Sequence, residues 1–234
     1  MAPLRFGYLL AGLLFIAMSV PSAYADSLSA ALIKAAPNAN ANVINLAVRA
    51  SQCSIAQGVG PVQRLAIIDY SLPSTEQRLW VFDLKKRKLL FHELVAHGRN
   101  SGENMAVNFS NQNESFATSL GLYRTQQSYV GQNGYSLRME GLEPGFNDNA
   151  LDRAIVIHGA PYVSPVLARI NGRIGRSLGC PAVRPAVARR LIDSMKDGQL
   201  LFSYYPDQRW LKSSSYINCG SGTMASAGKN TVRK

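Results

Sequence analysis

Apolar positions along this chain change period several times, and the changes divide it into elements. Leu9 to Val20 is an almost unbroken apolar run. Leu28, Leu32 and Ala35 then recur at helical spacing over residues 26–36, and Pro37 ends that pattern. From Asn40 to Gln57, Val43, Leu46, Ala50 and Cys53 recur at the same period and Gly58 stops the run, which predicts one amphipathic helix packed on the domain. Residues 64–70, 78–84 and 89–96 are rich in β-formers. The last two read as a hairpin with Lys85-Lys86-Arg87-Lys88 as its solvated tip. Residues 98–119 have no period and are rich in Asn, Ser and Gly, the mark of a long loop of functional or mobile kind. Further strands are expected at 120–125, 134–140, 153–158 and 199–205, with a turn at 141–150. A helix is expected over 184–197, opened by Pro185 and closed by Gly198. Strands outnumber helices, with no internal repeat, so the expectation is a mainly β domain with a few flanking helices.

The two ends read differently. Arg5, the apolar run, Pro21 and Ala23-Tyr24-Ala25 make the three-part layout of a secretory signal peptide cleaved after Ala25. The competing reading is an uncleaved anchor, but the run is shorter than the roughly 20 residues that span a bilayer. No cysteine near the cut offers a lipid site. From Lys212 onward Ser, Gly, Ala and Lys dominate, and composition predicts disorder. The expected layout is a leader at 1–25, a helical segment at 26–60, one domain at 61–211 and a tail at 212–234.

Charge and cysteine count add constraints. The formal net charge is +11 and falls to +10 without the leader, which favours anionic surroundings or serves simple solubility. Export and the lack of aromatics interleaved with basic runs argue against nucleic acid. Cys53, Cys180 and Cys219 make an odd count, so an exported chain keeps at least one free thiol or an intermolecular bond. The simplest partition joins Cys53 to Cys219 and leaves Cys180 free, while all three staying reduced is equally compatible.

Two segments offer chemistry. His158-Gly159 ends an apolar strand, and Gly175-Arg176-Ser177-Leu178-Gly179-Cys180-Pro181 forms a glycine-rich turn before a helix. A cysteine attacks as its thiolate and needs an imidazole or positive potential nearby, here from His158, Arg173 or Arg176. Amides beside Gly179 can face a developing oxyanion. The bland alternative is a small buried thiol and a hydrogen-bonded core histidine. Clustered metal ligands are lacking: His92 and His97 have no companion cysteine pair.

His158-Gly159 followed by Ser177-Leu178-Gly179-Cys180 before a helix resembles the signature of the L,D-transpeptidase catalytic domain family. Leu94 to Gly98, Ser119 to Tyr123 and Gly172 to Pro181 resemble its divergent murein subgroup, and the likeness covers roughly residues 64–205. It implies a β-sandwich or barrel-like fold and a cofactor-free and metal-free enzyme in the periplasm or cell wall. In the implied mechanism His158, oriented by the Gly159 carbonyl, deprotonates Cys180. The thiolate attacks the diaminopimelate carbonyl of a peptidoglycan tetrapeptide stem, Gly179 and Cys180 amides hold the oxyanion, and D-alanine leaves. Ser177 supports the loop. A stem amine then forms a 3→3 cross-link, an envelope protein amine anchors, or water gives an L,D-carboxypeptidase. A wall-binding protein without catalysis is the non-enzymatic alternative. Two departures are visible: Leu178 stands where the family has histidine, and Pro181-Ala182 follow the cysteine. Arg173, Arg176 and Tyr162 are candidate stem contacts, as are Arg99, Arg124 and Arg138, whereas Tyr123, Tyr129 and Tyr135 fit core positions as readily as a cleft.

Overall fold

The computed structural model describes residues 22–219. Residues 1–21, most of the expected leader, and residues 220–234, the end of the expected tail, lie outside them. None of the described helices is long and apolar enough to cross a membrane.

The N-terminal segment forms α1 (Ser22–Ala35) and α2 (Ala41–Ala56). Asn40 caps α2 by accepting the Asn42 amide at 2.9 Å, which satisfies one of the donors a helix start leaves orphaned. Then come β1 (Arg64–Asp69), β2 (Leu79–Asp83) and β3 (Lys88–Glu93), with the basic tip between the last two. β4 (Gly121–Gly131) and β5 (Gly134–Gly141) form a long hairpin. β6 (Val156–Gly159), α3 (Pro165–Asn171), β7 (Ala182–Val183), α4 (Pro185–Met195), β8 (Leu200–Tyr204) and α5 (Gln208–Ser213) complete the chain.

The strands make one eight-stranded sheet in the order β3-β2-β1-β8-β4-β5-β6-β7. The β1–β8 and β6–β7 pairs are parallel, and the rest are antiparallel. The two ends of that order meet. Val95, just beyond β3, bridges Val183 of β7, and the Ala96 amide donates to the Ala182 carbonyl at 2.9 Å. The Arg184 guanidinium adds a two-pronged bond to Glu93, 2.7 Å on each prong. The sheet is therefore nearly closed, with few exposed edges to template wrong pairings.

Period-2 alternation assigns the faces. Leu65, Ile67, Trp80, Phe82, Leu122, Leu200 and Phe202 pack with α1, α2 and Trp210. Ala66, Ile68, Val81, Tyr123, Leu201, Val156 and Cys180 pack with Leu191, Ile192 and Met195 of α4. The N-terminal helices thus cover one face of the sheet, and Cys53 of α2 is bonded to Cys219, leaving Cys180 as the free thiol among the described residues.

Several expectations shift. The hairpin strand β4 continues past Thr125 through a bulge between Thr125 and Ser128. The strand expected from Arg153 starts at Val156, because Ala154 adopts φ +51° and turns the chain. Residues 212–219 were expected to be disordered, but they carry the end of α5 and bury Ser214, Tyr216 and Ile217. Glu143 explains this docking: its buried carboxylate accepts from the Trp210 indole at 2.8 Å and the Leu122 amide at 2.7 Å.

Candidate active site

β6 and β7 set the site. Their parallel register pairs His158 with Ala182, so Cys180, two residues upstream of Ala182, lies beside Val156, two residues upstream of His158. The Val156 amide donates to Cys180 Sγ at 3.4 Å, and Sγ faces the Ala154 carbonyl at 3.7 Å. His158 and Cys180 therefore stand on adjoining segments, Cys180 just ahead of the strand that pairs with the histidine's own.

The imidazole is oriented by its own strand. His158 Nδ1 lies 3.1 Å from the Gly159 carbonyl, which accepts only if Nδ1 carries the proton. That leaves Nε2 as the lone-pair nitrogen. Gly159 has to be glycine, because a Cβ there would come within 2.9 Å of the Ala188 methyl and 3.3 Å of Pro185 on α4.

The turn before Cys180 is shaped by Ser177. Its hydroxyl donates to the Cys180 carbonyl at 2.6 Å and accepts the Gly179 amide at 3.1 Å. Gly179 takes φ +120°, a conformation that side-chain-bearing residues avoid. Its amide is committed to Ser177, whereas the Cys180 amide has no acceptor among the described residues. Leu178 is 57% exposed at the tip of the turn.

Burial dominates the electrostatics. It pushes the Cys180 thiol up, partly countered by the Val156 hydrogen bond and the Arg153 charge. It also pushes His158 down, partly countered by the Gly159 hydrogen bond. Thiol and imidazole are therefore both held neutral at rest.

The candidate stem contacts fare differently. Tyr162 is half-buried: its phenol is pushed up to about 12, first by burial and then by Cys180, and its carbonyl accepts the Gly175 amide at 2.8 Å. Arg173 and Arg176 both turn onto Glu103, at 2.9 and 2.7 Å, and Arg176 also donates to the Arg99 and Gly102 carbonyls. Arg99 stacks on Phe116 and Arg138 on Tyr129. Tyr123 is buried and donates to the Ser119 carbonyl at 3.0 Å, and Tyr135 bonds Ser128 and Asp193.

Arg153 escaped the sequence reading, which took it as the first residue of a strand. One guanidinium nitrogen donates to the Ser110 carbonyl at 2.7 Å and the Ser119 hydroxyl at 2.6 Å; the other reaches the Ala117 carbonyl at 2.6 Å and Ser115 at 3.1 Å. It ties the long loop to the turn before Cys180: a Cβ on Gly179 would stand 3.2 Å from that second nitrogen. Behind the same turn, His97 and Arg78 are buried together. Arg78 donates to His97 Nδ1 at 2.7 Å, so Nε2 carries the proton and faces the Gly102 carbonyl at 3.2 Å. The His97 carbonyl in turn accepts the Ser177 amide at 2.9 Å. Among the described residues no group of three or more His, Cys, Asp or Glu is placed to hold a metal.

Comparison with known proteins completes the picture. No curated protein matches. The chain is similar to a solved L,D-transpeptidase from Mycobacterium smegmatis, with 12% identity over 62% of this chain and 60% of that one, at a TM-score of 0.39. An L,D-transpeptidase from Mycobacterium tuberculosis H37Rv gives 14% identity over 62% and 59%, at 0.37. One from Stackebrandtia nassauensis gives 14% over 78% and 91%, also at 0.37. The chain spans about 60% of the length of the mycobacterial proteins. The pattern of the L,D-transpeptidase catalytic domain matches residues 35–204, well over half of the chain and inclusive of both site motifs, so this protein belongs to that family.

Proposed function

We propose that the protein is a peptidoglycan L,D-transpeptidase working through a thioester on Cys180. The observation that supports this reading is the β6–β7 register, which pairs His158, its Nδ1 engaged by the Gly159 carbonyl, with Ala182, two residues after Cys180, the one free thiol among the described residues. His158 Nε2 takes the thiol proton as Sγ attacks the carbonyl carbon between diaminopimelate and terminal D-alanine. The Cys180 amide is the free donor for the resulting oxyanion, and Ser177 holds the turn that aims it. Collapse breaks the C–N bond, His158 returns the proton to the leaving amine, and D-alanine departs. An acceptor amine, from a second stem or an envelope protein, then attacks the thioester, passes a proton to His158 and restores the thiol.

The test is incubation of the protein with a disaccharide-tetrapeptide, followed by mass spectrometry, with Cys180→Ala alongside. A thioester adduct and D-alanine loss that both need Cys180 support the proposal. A cross-linked dimer then marks transpeptidation, and a tripeptide without dimer marks hydrolysis. Equal inertness of wild type and variant toward this donor and toward intact sacculi would sink the catalytic reading.

A further inference from the structure

A cavity of about 450 Å³ between α3 and Arg184, and a second of about 360 Å³ under the long loop, both lie apart from the catalytic turn. The first offers little beyond Arg169, since Arg184 is already engaged by Glu93. The second has the chemistry of a sugar site. It is bordered by the loop at 109–112, the turn at 145–149 and the start of α5.

Two aromatic rings form part of its wall. Phe109 is braced against Tyr205 at 4.7 Å, and Phe146 lies beneath the Arg209 guanidinium at 5.5 Å. The polar part of the wall is fixed in advance. Asn111 Oδ1 accepts the Asn149 amide at 3.1 Å, the Asn149 side chain donates to the Asn111 carbonyl at 3.0 Å, and Asn111 donates to Asp148 at 2.7 Å. These bonds lock the loop to the turn. Gln112 and Arg209 line the cavity with exposed side chains, and Asp207, one of whose oxygens accepts the Trp210 amide at 2.7 Å, lines it too. Donors and acceptors beside aromatic side chains suit a pyranose, whose hydroxyls need both and whose C–H faces need aromatic contact. The volume lies at the lower end of the roughly 300–1,000 Å³ typical of small-ligand sites, enough for a sugar unit.

Position supports the same ligand. Ser110 borders this cavity, and its carbonyl is held by the guanidinium that also lies against Gly179. A tetrapeptide stem attacked before its last residue has three residues between the reacting carbonyl and the sugar, about 10 Å when extended. We propose that this cavity binds the amino-sugar backbone to which the donor stem is attached, so that the 98–119 loop reads the glycan while Cys180 reads the peptide. The proposal rests on the transpeptidase reading and deepens it.

The experiment separates the two. The full-length protein, ¹⁵N-labelled, is titrated with a stem-free N-acetylglucosamine tetrasaccharide, which involves no turnover. Saturable shifts of the Gln112, Asn111 and Asn149 side-chain amides are expected, weakened at least fivefold by Gln112→Ala and Arg209→Ala. In turnover, both variants should raise KM for a disaccharide-tetrapeptide severalfold, with kcat and the rate on sugar-free tetrapeptide unchanged. Absence of saturable shifts, shifts indifferent to both variants, or equal KM for sugar-bearing and sugar-free donors in the wild type overturns the proposal, while Cys180 acylation by the free stem still stands as its own result.

Discussion

Acidification should unfasten this protein from behind the Ser177–Cys180 turn, through His97. The imidazole is fully buried, accepts from Arg78 at 2.7 Å and is held neutral with a pKa of about 4, first by desolvation and then by the Arg78 charge. Arg176 adds a further cationic push, and the Gly102 carbonyl opposes it. Unfolded, the same side chain titrates near 6.5. Between those values the unfolded chain binds a proton that the folded one refuses, so stability rises with pH across the window and is lost as pH falls through it. Going from pH 7 to pH 4.5, the two values give a loss of about 2 to 3 kcal/mol from this residue. His158, also depressed by burial, works in the same direction. Asp69 and Glu143, raised by burial, work in the opposite one. The residue's own share is therefore read from a difference. Urea unfolding of wild type and His97→Asn at both pH values should show the wild type losing about 2 to 3 kcal/mol more than the variant, whose amide oxygen can still accept from Arg78. Equal pH dependence of the two, within about 0.5 kcal/mol, would refute the buried neutral imidazole.

Three further outcomes are expected. Replacing Cys53 and Cys219 by serine opens a loop with a sequence separation of 166, which in the chain-entropy account costs about 5 kcal/mol. A melting point lower by roughly 10–20 °C should follow, and a loss under about 1 kcal/mol would mean that the tail docks unaided. Arg153→Gln should move the midpoint of the pH profile for Cys180 alkylation upward, since Arg153 is a charge that holds the thiol down, with Arg153→Lys falling between; a stationary midpoint would reduce Arg153 to a loop clamp. Ser177→Ala should lower kcat by roughly 10- to 100-fold by loosening the turn, with Ser177→Thr restoring most of it because the hydroxyl bonding both Gly179 and Cys180 returns. Equal rates for the alanine and threonine variants would contradict that role.

What the sequence displayed followed from how local each feature is. α1, α2, the basic-tipped hairpin and α4 are set by period and by Pro and Gly punctuation, and they were legible. β7 is two residues long and exists through its pairing with β6, so no propensity could announce it. α3 did carry a signal: Ser164 accepts the Val166 amide, Pro165 opens the helix and Gly172 closes it at φ +67°. The 212–219 stretch was obscured by its polar composition, although Tyr216 and Ile217 were there to be buried. In the candidate site, His158 and Cys180 stood out through the family motif, but the contacts of the arginines did not. Arg173 and Arg176 lie near Cys180 in sequence yet turn onto Glu103, about seventy residues away, while Arg153 serves the turn because the 110–119 loop folds back over it. Such assignments are made by tertiary contacts, which spacing does not encode.

The neutral resting pair bears on how the thiol becomes a nucleophile. Sγ receives a hydrogen bond from Val156 and faces the Ala154 carbonyl, to which the thiol proton is donated. In the proposed reaction that proton has to leave the carbonyl for His158 Nε2. Forming a thiolate and imidazolium in the buried site is opposed by the same desolvation that holds each group neutral. In the proposed reaction two features would lower that cost. The Arg153 guanidinium lies against Gly179, and the Cys180 amide remains open for negative charge that has moved from sulfur to the carbonyl oxygen. On that reading charge separation is disfavoured at rest and favoured only as the stem is attacked. A thiol kept protonated between turnovers is a poor target for oxidants, which react with thiolate. A nucleophile arranged in this way should show slow alkylation in the free protein together with fast acylation by its own substrate. A cysteine kept permanently ionised would show fast reaction with both.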